Sequence, residues 1–139
     1  MTRKTIKFNG FGFPVILVNV PMKIEYDDEI PDINFKRIQK QLFHALLHKP
    51  TRLSGAEVKF LRHHLALTQD QFSKILKVER SLISKWEGRV LKASGMSTHV
   101  EIFLRLKLTR LDNRSIDFAV IEPATATKSV GKPVELKAS

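Results

Sequence analysis

Leu67-Thr68-Gln69-Asp70-Gln71-Phe72-Ser73-Lys74-Ile75-Leu76-Lys77-Val78-Glu79-Arg80-Ser81-Leu82-Ile83-Ser84-Lys85-Trp86-Glu87-Gly88 carries two short helical patterns with almost nothing between them. Thr68 and Gln71 stand at capping-box spacing: the hydroxyl accepts from an orphan amide and the side chain three residues on returns to the cap's own N–H, so a helix starts there. Phe72, Ile75 and Leu76 give that helix its apolar stripe. The interval from Leu76 to Arg80 has room only for a tight turn. Leu82, Ile83 and Trp86 form the next stripe, and Gly88 stops it. Upstream, Ser54 and Glu57 make another capping box, followed by the stripe Val58, Leu61 and Leu65. Three helices therefore follow one another between Ser54 and Gly88.

A fourth helix opens at Ser97 or Thr98 and runs to about Leu111. Val100, Leu104, Leu108 and Leu111 make its seam, while Ile102, Phe103 and Leu106 extend its apolar surface past a single stripe and imply more than one partner surface. Before Ser54, the spacing of Phe35, Ile38, Leu42, Ala45 and Leu46 predicts a helix of about four turns, capped by Asp32 or Asn34 and closed by Pro50. From Lys7 to Glu29, residues rich in Phe, Val and Ile alternate in part (Val15 and Leu17 against Ile16 and Val18) and are broken by Gly10, Gly12, Pro14 and Pro21. Two short strands joined by a turn are expected, confined by proline to edge positions. Beyond Arg114, Ile116 to Ile121 reads as one strand, and the Thr, Ala, Ser, Gly and Pro content of Glu122 to Ser139 reads as a flexible tail. No internal repeat is visible.

The expected fold class is mainly α, a helix-turn-helix bundle with a small N-terminal β-hairpin and helix. Three parts are expected: residues 1–50, a hairpin-and-helix unit available for dimer or partner contact; 51–114, the helix-turn-helix domain; and 115–139, the strand and tail.

The chain has 139 residues, 42% of them apolar and 27% charged, which suits a globular core. Twenty-four Lys and Arg against 14 Asp and Glu leave a net charge of +10, favouring a polyanionic partner. The excess is spread over residues 1–114, and the tail is balanced, a poor nucleic-acid arm. Zero cysteines exclude disulfides, thiolate zinc sites, iron–sulfur clusters and cysteine nucleophiles. No apolar run approaches the roughly 20 residues of a membrane span. Arg3 and Lys4 are followed by polar residues unlike those of a signal peptide, so the expected location is the cytoplasm. Asp27-Asp28-Glu29 is read as a solvated turn. His44 and His48 stand four apart but lack a third ligand, and the adjacent His63 and His64 point to different faces. No metal, cofactor or catalytic residue is assigned, and the protein is not expected to be an enzyme.

Function is concentrated in the stretch quoted first. A helix fits the major groove, where all four base pairs present distinct donor and acceptor patterns. A short helix that turns Arg80, Ser81, Ser84 and Lys85 outward, held from behind by Leu82, Ile83 and Trp86, is equipped to read sequence.

The leucine-threonine-glutamine opening, the apolar positions of both helices and the closing Ile83-Ser84-Lys85-Trp86-Glu87 closely resemble the helix-turn-helix of the Xre, or lambda-repressor-like, family. Lys77 departs from the family's turn glycine, Glu79 from its usual serine or threonine cap, and Ser73 from a small alanine. The resemblance implies a dimeric transcriptional regulator, a probable repressor in function, on double-stranded DNA. Arg80, Ser81, Ser84 and Lys85 are then the base-contacting candidates, and Gln69, Thr68 and Lys74 the phosphate-contacting ones. It also implies an ion pair between Arg62, on the preceding helix, and Glu87, fixing the angle between helices. A second resemblance, carried by Asn19-Val20-Pro21, Ile30-Pro31-Asp32-Ile33, Ala45-Leu46, Lys49-Pro50 and Arg52 to Arg62, is to zinc-finger/helix-turn-helix regulators that include MqsA-type antitoxins. Their two Cys-x-x-Cys pairs are absent here, so the zinc site is lost. The alternative this implies is an antitoxin of a type II pair that binds a toxin and regulates its own operon. A protein-binding module without DNA recognition is a third class, distinguished by failure to bind DNA at low salt.

Overall fold

The computed structural model describes residues 3–112 and 129–137. Its elements are β1 (Arg3–Phe8), β2 (Val15–Glu25), β3 (Asp28–Pro31), α1 (Phe35–Leu47), α2 (Gly55–His64), α3 (Gln69–Leu76), α4 (Arg80–Glu87), α5 (Thr98–Leu111) and β4 (Val134–Lys137). The strand expected at Ile116 to Ile121 lies outside the described residues.

Among the described residues, five helices share the core with a four-stranded mixed sheet, in which β1 and β3 pair antiparallel with β2 and β4 pairs parallel with it. The chain is an α/β fold. The mainly α helix-turn-helix bundle expected from the sequence is overturned, and so is the two-strand N-terminal hairpin. Two physical features account for the difference. The first is a bulge in β2. Asn19 adopts a left-handed φ of 60°, and the β1–β2 register shifts between Lys4 and Ile6. A bulge inserts one residue and so reverses which parity faces inward. Val15 and Leu17 are buried before it, Val20 and Met22 after it. A strict period-2 reading breaks at that point and turns one 11-residue strand into fragments. Pro21 stands inside β2 opposite Arg3 of β1, and its carbonyl accepts from Asp32 N at 2.8 Å just past β3.

The second feature is β4. Its four residues lie in the segment read as a flexible tail, where alternation over Val134 and Leu136 is too short to register as a strand. That reading is corrected for Val134–Lys137: Leu136 is buried and extends the core across the sheet. β2 and β3 join through Tyr26 and Asp27, both at positive φ (52° and 66°), the type I′ geometry that matches strand twist.

The helices begin where the caps place them. Asn34 accepts from Arg37 N at α1, and Ser54 and Thr68 form reciprocal capping boxes with Glu57 and Gln71. One apolar cluster joins Leu17 and Val20 of β2, Leu42, Phe43 and Leu46 of α1, Val58 and Leu61 of α2, Phe72 of α3, Ile83 and Trp86 of α4 and Leu104 and Leu108 of α5. Each such side chain contributes about 1.5 to 3 kcal/mol on burial. Leu111, expected in the α5 seam, is instead 48% exposed, and Phe35 of the expected α1 stripe is exposed too.

Gly55 sets the spacing between α2 and α4. A Cβ there would meet the Trp86 carbonyl oxygen at 2.3 Å and Val90 N at 2.8 Å, so only glycine lets the start of α2 touch the end of α4. The chain after α4 then returns to α2, where Ala56 N donates to Val90 O at 2.8 Å and Gly55 N to Lys92 O at 3.1 Å. Orphan amides of α2 are satisfied by this return.

Among the described residues, no helix is long and apolar enough to cross a membrane, and no group of three His, Cys, Asp or Glu is placed to hold a metal ion. The rings of His44 and His48 lie 4.4 Å apart, with His48 Nδ1 at 3.1 Å from the His44 carbonyl. His64 stacks on Phe43 at 4.5 Å. Burial lowers its pKa below the ordinary 6.5, with Asp112 opposing and Lys40 adding to the shift.

Candidate nucleic-acid interface

The quoted stretch folds as α3, a turn and α4. Lys77 ends α3 in the left-handed region, at φ 57° and ψ 44°. Its N–H donates to Ser73 O, and Val78 N donates to the same oxygen at 3.0 Å, which brings the chain round for α4. A residue bearing Cβ carries a penalty in that conformation. Lys77→Gly is therefore expected to stabilise the fold by about 0.5 to 1 kcal/mol, the lost strain being partly offset by the greater unfolded freedom of glycine. A urea midpoint equal to or below that of the parent would show that no such strain is present.

Glu79 occupies the N-cap of α4 and makes no side-chain cap hydrogen bond. The helix is held in other ways. Ile83 and Trp86 are buried on its inner side, α4 packs against both α2 and α3, and Glu87 anchors its last turn. Arg62 Nε donates to Glu87 Oε2 at 2.7 Å and Arg62 Nη2 to Glu87 Oε1 at 2.9 Å, a two-pronged contact. Arg62 Nη1 also donates to Leu67 O at 2.9 Å, so the same guanidinium ties α2, the chain leading into α3, and the end of α4.

The opposite side of α4 presents the residues singled out as base contacts. Arg80, Ser81, Ser84 and Lys85 are all exposed, and among the described residues their side chains make no hydrogen bond or ion pair. Leu82 is 38% exposed at the margin of this face. The phosphate candidates are differently placed. Thr68 Oγ1 is committed to its cap, accepting from Gln71 N at 3.1 Å. Lys74 is exposed and pairs with Asp70 at 3.2 Å, a surface contact too weak to hold it from another anion. Gln69 Nε2 donates to Glu87 Oε1 at 3.3 Å, so this side chain sits between the start of α3 and the anchored end of α4. One amide hydrogen and the carbonyl oxygen of Gln69 are left for an external partner.

A buried polar network between α5 and the α1–α2 connection is not legible in the sequence. Arg105, fully buried, donates to Lys49 O and Thr51 O, each at 2.6 Å, and to Glu101 Oε2 at 3.2 Å. Burial lowers the Arg105 pKa, and the adjacent Glu101 carboxylate opposes that shift. Glu101 Oε1 accepts from Leu53 N at 3.1 Å and pairs with Arg52 Nε at 3.3 Å. Lys49 Nζ pairs with Glu57 at 2.6 Å, so the capping-box carboxylate is also a buried ion-pair partner. The network clamps the α1–α2 connection onto α5. The one available signal was the i,i+4 spacing of Glu101 and Arg105 on the inner side of an otherwise apolar helix.

No protein-family model matches the sequence, and neither a curated protein nor a solved structure matches it.

Proposed function

We propose that the protein is a sequence-specific DNA-binding regulator of transcription, acting in the cytoplasm as a binding protein rather than an enzyme. α4 enters the major groove, and its contacts follow the Xre-type pattern quoted above. The observation that carries this reading is the two-sidedness of α4. Ile83, Trp86 and Glu87 are buried, while Arg80, Ser81, Ser84 and Lys85 stand together in solvent with no partner among the described residues. Arginine can donate twice to guanine O6 and N7, serine donates or accepts, and lysine donates, so this set can discriminate base edges. The net charge of +10 supplies the sequence-independent attraction to phosphate.

Selecting bound duplexes from a random pool at stated salt tests this directly. Recovery of one recurring half-site is expected; recovery of unselected sequence at every salt concentration would rule the reading out. On the selected site, Arg80→Ala should weaken binding by roughly 1 to 3 kcal/mol and weaken binding to scrambled DNA much less. Gln69→Ala should weaken both by similar factors and leave the salt slope almost unchanged, since a neutral phosphate contact carries neither sequence information nor a counterion. Equal losses on both duplexes for Arg80→Ala would remove it from the base readers. Because Gln69 also touches Glu87, the unfolding midpoint of its variant is measured beside its affinity.

The regulator acts as a two-fold dimer, which lets two recognition helices meet half-sites about 34 Å apart. On α5, Phe103 is 38% exposed and stands one helical turn from Leu106 and two from Arg110, away from the buried Leu104 and Leu108. Sedimentation at micromolar concentration is expected to give the dimer mass, and a monomer both alone and on DNA would refute it.

A further inference from the structure

We propose that the groove between α1 and the outer edge of β4 is a docking site for an acidic, extended peptide segment that adds to β4 as a new strand. The site is independent of the recognition helix. Among the described residues β4 pairs with β2 alone, and no described strand lies along its other backbone edge. Such an edge is a template for a further strand.

Two cavities, of about 430 and 520 Å³, run between α1 and the β4 segment. Their walls show that the groove follows the strand's edge. Consecutive residues Glu135, Leu136 and Lys137 line one cavity, and Gly131 to Glu135 line the other. Neighbouring residues of a strand point to opposite faces, so over Val134 to Lys137, the strand part of these walls, a lining by every residue in turn marks the backbone edge. The helical wall runs from Arg37 to His48. At 1.5 Å per residue that is roughly 16 Å, the length of about five residues of extended chain.

Charge selects the occupant. Arg37, Lys40 and Lys137 line the groove and form no ion pair among the described residues, while Glu135 is the only acidic lining residue at this end. A third cavity of about 400 Å³ continues the groove past Arg37 and Gln41 to Arg3, with Asp32 opposite. Gln41 lines both of these cavities, and its Oε1 accepts no hydrogen bond among the described residues. An acidic strand therefore finds backbone partners along β4 and cations along α1.

The probe is the fluorescein-labelled peptide acetyl-EVEVEVE-amide, titrated with the full chain and followed by anisotropy, with amide NMR shifts as the site readout. Saturable binding is expected, with shifts at Glu135, Leu136 and Lys137. The double variant Arg37→Glu, Lys40→Glu alters only exposed positions of α1 and should weaken binding at least tenfold with its thermal melt unchanged. The same peptide with alternate backbone amides methylated should lose at least tenfold as well, because strand addition needs those N–H groups. Arg80→Ala should bind the peptide as the parent does, which separates this site from DNA recognition. The proposal is overturned by the absence of saturable binding, by equal binding of acetyl-KVKVKVK-amide, or by equal binding of the methylated peptide. Displacement of the peptide from the Arg80→Ala protein by duplex DNA would assign these cations to phosphate and overturn it too.

Discussion

Arg105→Ala is expected to destabilise the protein by about 3 to 5 kcal/mol, the cost of removing one partner from a buried charged network. A domain of this kind has only about 5 to 15 kcal/mol in total, so the variant should be partly unfolded well below the parent's transition. The substitution leaves the carbonyls of Lys49 and Thr51 without their 2.6 Å donors and removes one of the two cations beside the fully buried Glu101. Arg52 keeps its 3.3 Å contact to the other oxygen and limits the damage. Shape alone does not account for the loss. Arg105→Met fills much of the same volume and should still cost several kcal/mol, whereas adding Glu101→Gln to it should recover part of that loss, since the amide can still accept from Leu53 N without a buried charge. Urea unfolding of the two single variants and the double variant gives the coupling energy. A loss below about 1 kcal/mol for Arg105→Ala would show that the network contributes little net stability.

Parts of this architecture were legible because their causes are local. The capping boxes at Ser54 and Thr68, the Asn34 cap and the stripes of α2, α3 and α4, apart from the exposed Leu82, depend on residues within one or two turns, so spacing alone locates them. The outward set Arg80, Ser81, Ser84 and Lys85 follows from the same periodicity, as the complement of Ile83 and Trp86. Long-range causes were not legible. The parallel pairing of β4 with β2 joins residues more than a hundred positions apart, through four residues whose composition resembles a tail. The bulge at Asn19 hides the continuity of β2 by reversing its parity. The absence of both from a local reading is what made the chain look mainly α. The i,i+4 spacing of Glu101 and Arg105 is visible in the sequence, but its place in the core depends on the α1–α2 connection crossing α5 and offering backbone carbonyls.

Arg62→Ala is the second large effect expected, and it probes how α4 is held. The Arg62 and Glu87 side chains are 10% and 6% exposed, so loss of the arginine leaves a nearly buried carboxylate with, among the described residues, only the 3.3 Å contact from Gln69. The expected cost is about 3 kcal/mol, the lower end of the range for a broken buried pair, because some solvent reaches it. For a domain of this size that lowers the unfolding midpoint by on the order of 10 °C. Arg62→Lys should fall between the parent and the alanine variant: an ammonium keeps the charge but cannot serve both Glu87 oxygens and Leu67 O with fixed geometry. Adding Glu87→Gln to Arg62→Ala should restore part of the stability by removing the stranded charge. DNA affinity then distinguishes anchoring from contact. If the guanidinium only fixes α4, Arg62→Ala protein held folded at low temperature should keep the parent's preference between selected and scrambled duplexes and lose affinity in proportion to its unfolded fraction. Thermal stability equal to the parent's would exclude the anchoring role, and lost discrimination in a fully folded sample would make Arg62 a direct reader.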